Sequence, residues 1–159
     1  MHTLLLLRHA KADSSMGVAD HKRPLSNKGI HDAPIMAQRL KKSGYKPDMM
    51  VSSNALRAMT TAEVFADVLG AELILNHELY NAHEKTVLDL VRAMDEDIEN
   101  LMLIGHNPTW EILIEDFTGE TTSMSPCSVV QISFDSTWEE IKEGSGRVIY
   151  FDDPSKHED

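Results

Sequence analysis

A chain of 159 residues, 42% hydrophobic and 26% charged, suits one domain with a substantial core and leaves little room for a second. Its 26 acidic and 15 basic residues give a formal net charge of −11, which argues against nonspecific nucleic-acid binding and against attraction to anionic membranes. A single cysteine, Cys127, excludes an internal disulfide, and without a signal-peptide core or a bilayer-length apolar run the expectation is a soluble cytoplasmic protein.

In chain order, residues 3–7 (TLLLL) read as a short strand buried on both faces. Residues 10–25 are polar and loop-like. Ser26 is the expected N-cap of a helix running to about Lys42, with Pro34 expected to kink it or delay its start. A second strand is expected at 48–53, followed by a helix whose apolar face carries Ala55, Met59, Ala62, Phe65, Ala66 and Leu69 and which Gly70 ends. Residues 71–76 read as a third strand, 84–94 as a third helix and 101–107 as a fourth apolar strand. Asn107 then reads as N-cap and Pro108 as the first residue of a helix over 108–118. Two later strands, 127–134 and 147–151, lack a helix between them and are expected to pair antiparallel. Residues 1–152 form the expected domain, and 153–159 a polar, frayed tail.

Strands alternate with helices through residue 118, so the expected fold is α/β, a single-domain three-layer α/β/α sandwich on a mostly parallel sheet. Ligands of such sheets bind at the carboxyl ends of the strands. The first strand ends in Arg8-His9, the fourth in Gly105-His106, and the second in Ser52-Ser53 with Arg57 in the following helical turn. Two histidines and two arginines thus converge on one edge. Two guanidinium forks can bind phosphoryl oxygens bidentately. A neutral imidazole between them can attack phosphorus, and the second histidine can stabilise charge on an equatorial oxygen. Lys11 and Arg23 are candidate rim cations, and Ser14 and Asn107 candidate hydrogen-bonding partners of the anion. The scheme needs no metal or other cofactor.

The same segments resemble the histidine phosphatase superfamily, and within it the SixA-type phosphohistidine phosphatases. LLLLRHAKAD, RPLSNKG, PDMMVSSNALRAMTTAE, LMLIGHNPTWE and GSGRVIYF follow in that branch's order over nearly the whole chain. The resemblance implies a phosphoglycerate mutase-like fold, His9 as the phosphorylated nucleophile, and Arg8, Arg57 and His106 as the phosphate pocket. It also implies a phosphorylated protein substrate, a phosphorelay or phosphotransferase component. Two positions depart from the superfamily pattern. Ala10 stands where glycine is usual, and Asn81 aligns with the position that usually carries an acidic proton donor. Glu78 and Glu84 flank Asn81 as possible displaced donors.

That gap bears on the substrate. An alkyl ester leaves as a strong base and needs a proton donor. A phosphohistidine leaves as imidazole, whose conjugate acid has a pKa of about 6.5, so it tolerates a site without one. Short loops over the strand ends, none able to fold as a lid, suit a phosphoryl group presented on a protein surface. A small-molecule phosphomonoesterase of the same fold and a non-catalytic phosphate- or phosphoprotein-binding module remain the alternatives. Other chemistries fail on spacing. Cys127 begins no Cys-x5-Arg cradle, His83-Glu84 lacks the second histidine of a zinc helix, and no phosphate-binding glycine loop is present.

Overall fold

The computed structural model describes residues 1–157; 158–159, the end of the expected tail, lie outside the described residues. Six strands, β1 (His2–Arg8), β2 (Met49–Ser52), β3 (Leu73–Leu75), β4 (Asn100–Gly105), β5 (Val129–Phe134) and β6 (Gly146–Asp152), form one sheet in the order β3-β2-β4-β1-β5-β6. The first four run parallel. β5 is antiparallel to both β1 and β6, as expected of the two late strands.

The leucine run of β1 decides the layering. Leu4 to Leu7 are all fully buried, and because side chains alternate, Leu5 and Leu7 enter one core while Leu4 and Leu6 enter the other. On the first face lie α1 (Asn27–Lys42) and α2 (Leu56–Leu69), packed through Met36, Leu40, Ala62 and Phe65. On the second lie α3 (Glu84–Arg92) and α4 (Thr109–Thr118), packed through Val87, Val91, Trp110 and Leu113. The result is the three-layer sandwich. No helix among the described residues is long and apolar enough to cross a membrane.

Several local expectations are corrected. α1 begins at Asn27, with Ser26 Oγ accepting from Gly29 N at 3.1 Å, and runs on past Pro34 without a break. A mid-helix proline costs about 3 kcal/mol. Burying Met36 and Leu40 beyond it returns roughly 3–6 kcal/mol together, so the helix continues. The buried face of α2 is also rotated from the expected one. It carries Arg57, Ala58, Thr61, Ala62, Phe65 and Ala66, whereas Met59 and Leu69 are only partly covered. The tail is docked as far as it is described: Pro154–His157 forms a 3-10 turn, Pro154 is buried, and His157 Nε2 meets Asp152 Oδ1 at 2.8 Å.

Two glycines bring segments into contact that a side chain would hold apart. A Cβ at Gly29 would lie 2.2 Å from Lys11 O, the atom that accepts from Ser26 N and Ser26 Oγ; glycine therefore lets the loop after β1 dock on the start of α1. A Cβ at Gly105 would lie 2.5 Å from the Trp110 ring. Its absence lets Trp110 fold back under the end of β4 and donate from Nε1 to Leu7 O at 2.9 Å.

Candidate active site

β1 and β4 are neighbours in register, with Arg8 opposite Gly105, so the residues that follow them, His9 and His106, emerge side by side. Their ring centroids are 5.1 Å apart. The main chain at this edge is held from several directions. His9 N donates to Gly105 O, Arg8 N donates to Ser128 O, and Cys127 N donates to both Arg8 O and His9 O. Cys127 itself is in the left-handed region, with φ 67°. Ala10 N donates to the buried Thr61 Oγ1 at 3.0 Å, tying the segment to α2. Nearby groups thus fix the imidazole's position before any ligand arrives.

His9 is 9% exposed. Its Nδ1 lies 2.7 Å from Ala10 O, and since a carbonyl only accepts, Nδ1 carries the proton and Nε2 carries the lone pair. Burial, reinforced by the Arg57, Arg8 and Arg23 charges, lowers its pKa to about 4. His106 is lowered to about 3, first by burial and then by the neighbouring His9 and Arg57. Ser53 Oγ meets His106 Nε2 at 2.8 Å, so Nδ1 is the ring nitrogen left for a ligand. Both imidazoles are neutral at physiological pH.

The two arginines are anchored differently. Arg8 Nη1 donates to Met124 O at 2.8 Å, while its Nε is buried without a hydrogen-bond partner. An unpaired buried donor of that kind is costly. Arg57, 7% exposed, donates from Nη1 to Asp20 O at 2.7 Å and from Nη2 to Asp20 Oδ2 at 3.0 Å. A cavity of about 330 Å³ is lined by Arg8, His9, Arg57 and His106 together with Lys11, Arg23, Asn81 and Asn107. All four predicted core residues are therefore brought together, with both predicted rim cations.

The remaining candidates fare otherwise. Ser14 is exposed and does not line the cavity. Asn107 does line it, yet it neither caps α4 nor offers its amide N–H to a ligand. Its Nδ2 donates to Glu111 Oε2 and Met124 O, both at 3.0 Å, leaving Oδ1 buried and unpaired. Pro108 occupies the cap position instead. The reason is competition: two acceptors already face Asn107 Nδ2, and turning the amide would set oxygen against oxygen. Glu78 sits exposed on the 3-10 turn His77–Leu79 and does not line the cavity, whereas Glu84, which opens α3 beside His83, lines an adjoining cavity that shares Asn81, His106 and Asn107 with this one. Asn81 is in the left-handed region at φ 53°.

Sequence reasoning missed Asp20 and Tyr80. The stretch expected to be plain loop carries a 3-10 turn, Asp20–Lys22, packed on α2. Tyr80 Oη donates to Asp20 Oδ2 at 2.6 Å, and its ring stands 5.7 Å from that of His106. Neither residue sits in a periodic pattern, so only a rule that every buried arginine needs a counter-charge would have pointed to them.

The chain is similar to several known proteins. The family model of the histidine phosphatase superfamily (branch 1) matches residues 4–99. The chain is 28% identical over 150 residues to an uncharacterized protein of Arabidopsis thaliana, covering 86% of this chain and 69% of that one. The crystal structure of an Agrobacterium tumefaciens protein assigned as the phosphohistidine phosphatase SixA superposes with a TM-score of 0.83 at 30% identity, covering 96% of this chain and 98% of that one. A protein histidine phosphatase SixA complexed with tungstate shares the fold, with a TM-score of 0.85 at 23% identity over 98% and 99% of the two chains.

Proposed function

The chain belongs to the histidine phosphatase superfamily, and from that premise we propose that it hydrolyses phosphohistidine on a protein partner through a covalent intermediate on His9. The observation that carries the reading is the state of His9: a neutral imidazole with Nδ1–H committed to Ala10 O, its Nε2 lone pair free among arginines. The partner is a phosphorelay or phosphotransferase component.

In this reading the phosphoryl group lies between Arg8 and Arg57, whose guanidinium groups neutralise its oxygens. His9 Nε2 attacks phosphorus as the bond to the substrate's imidazole breaks. When the substrate ring is protonated on its other nitrogen, it leaves as neutral imidazole and no proton need be supplied. His106 Nδ1–H donates to an equatorial oxygen as charge builds. Water then attacks the phosphorus on His9. The P–N bond breaks, His9 regains its lone pair with Nδ1–H still on Ala10 O, and dihydrogen phosphate departs.

The choice of phosphohistidine over esters rests on the cavity's lining, which among the described residues includes no Asp or Glu. Asp20, hydrogen-bonded to Arg57, is held well below the usual carboxylate range by the Tyr80 hydroxyl and by Arg23 and Arg57. It is ionised at neutral pH and has no proton to give. An alkoxide leaving group therefore meets no carboxylic acid among the residues lining this cavity, Glu84 lying in the adjoining one.

The deciding experiment is acid-quenched labelling with a radiolabelled phosphohistidine protein, paired with turnover of that substrate and of an alkyl phosphate ester. An acid-labile label with fast turnover, and ester turnover lower by orders of magnitude, is the expected outcome. Efficient ester turnover that collapses in Glu78→Gln or Glu84→Gln would establish the phosphomonoesterase instead. Bound phosphate with neither label nor turnover would leave only a binding module.

The lowered pKa of His9 also sets the pH profile. Protonation removes the attacking lone pair, so kcat/KM falls as pH drops through the folded-state value of about 4, not through the ordinary imidazole value near 6.5. Measured with p-nitrophenyl phosphate and corrected for that substrate's own ionisation, the acid limb is expected below about pH 5. A limb at 6.5 would contradict the buried, neutral nucleophile.

A further inference from the structure

Asp20 contacts the cationic side of the site directly, yet it is not a lining residue. Its main-chain oxygen and Oδ2 accept from the two terminal nitrogens of Arg57, at 2.7 and 3.0 Å. Its Oδ1 accepts from Arg23 Nη1 at 3.1 Å, and Tyr80 Oη donates to Oδ2 at 2.6 Å. A guanidinium has five N–H donors. Asp20 takes one from each terminal nitrogen of Arg57 and leaves three, Nε–H among them, for a phosphoryl group.

We propose that Asp20 is a positioning residue for the phosphoryl site, setting the planes of Arg57 and Arg23 through one carboxylate and one carbonyl while Tyr80 holds that carboxylate in place. The inference rests on the phosphatase reading of the site. An unrestrained arginine has rotamer entropy to lose, and that loss falls on the reaction unless another group has already ordered the side chain. The loop between β1 and α1 supplies that group. Its docking on α1 at Gly29 and its packing on α2 hold Asp20 beside Arg57.

The charge on Asp20 separates positioning from simple affinity. A carboxylate beside the arginines opposes the binding of any phosphate dianion, so its removal should not weaken ground-state binding. What its removal damages is the orientation needed in the transition state, where a misplacement of 1 Å costs up to roughly 100-fold. An effect on kcat without a rise in KM is the signature.

The test uses the full chain with p-nitrophenyl phosphate as substrate and inorganic phosphate as inhibitor. Asp20→Ala is expected to lower kcat about 30- to 100-fold while KM and phosphate inhibition stay the same or tighten. Tyr80→Phe should give a smaller loss of the same kind, and Asp20→Glu should recover part of the rate. In an Arg57→Ala background, Asp20→Ala should cost less than about twofold more, because the group it orients is gone. The proposal is overturned by an unchanged kcat, by a raised KM at constant kcat, or by full additivity with Arg57→Ala. If the chain hydrolyses this ester but not phosphohistidine, the substrate reading fails and the Asp20 result still stands or falls by these criteria. If the unaltered chain turns over neither, both fail.

Discussion

Replacing His9 with alanine is expected to abolish turnover, a loss of at least roughly 10⁴-fold, and to leave no acid-labile phosphoenzyme. The expectation follows from the placement of one lone pair: His106 has its Nε2 engaged by Ser53, and among the described residues no serine, threonine or cysteine lines the cavity. The fold should persist. The His9 side chain hydrogen-bonds only its neighbour Ala10, whereas the segment's position depends on main-chain bonds to Gly105, Cys127 and Thr61. Circular dichroism and a melting curve alongside the rate measurement separate the two effects. Full activity in this variant would refute the covalent mechanism.

The second large effect is expected at Arg8. Truncation to alanine removes the buried Nε–H that has no partner and one of the guanidinium groups lining the cavity. Loss of one preorganised donor costs about 10²- to 10³-fold, and loss of a whole guanidinium belongs at the upper end. Arg8→Lys keeps a charge but not the fork, so a loss of roughly 10²-fold remains expected. Inhibition by inorganic phosphate should weaken in parallel, which distinguishes a lost anion contact from a distorted nucleophile. The acid limb of the rate profile should also move upward, because Arg8 is one of the cations that depress His9. Near-normal kcat/KM and phosphate inhibition in Arg8→Ala would remove it from the site.

These effects depend on a small cationic island in a chain of net charge −11. Arg8, Arg57, Arg23 and Lys11 all line the same cavity, so a phosphoryl group finds local attraction within a repelling field. Burial keeps both histidines neutral, and the same island reinforces it. Binding charge and nucleophile state are therefore linked.

The sequence alone determined the parts that depend on local pattern. An uninterrupted apolar run bounded by Arg8-His9, and another bounded by Gly105-His106, point to buried strands with polar ends, because parallel strands flanked by helices are covered on both faces. Gly70, in the left-handed conformation after α2, and Ser26 before α1 mark helix limits through local stereochemistry alone. What needed the tertiary structure was every pairing between distant segments. The order β3-β2-β4-β1-β5-β6 makes β1 and β4 neighbours, and only that adjacency sets the two imidazoles 5.1 Å apart. Asp20 meets Arg57 across 37 positions of sequence, and Asn107 gives its amide to Glu111 and Met124 instead of capping a helix. Periodicity reports which face of an element is buried. It carries no information about which polar group on another element will satisfy a given donor, and that matching is what completes this site.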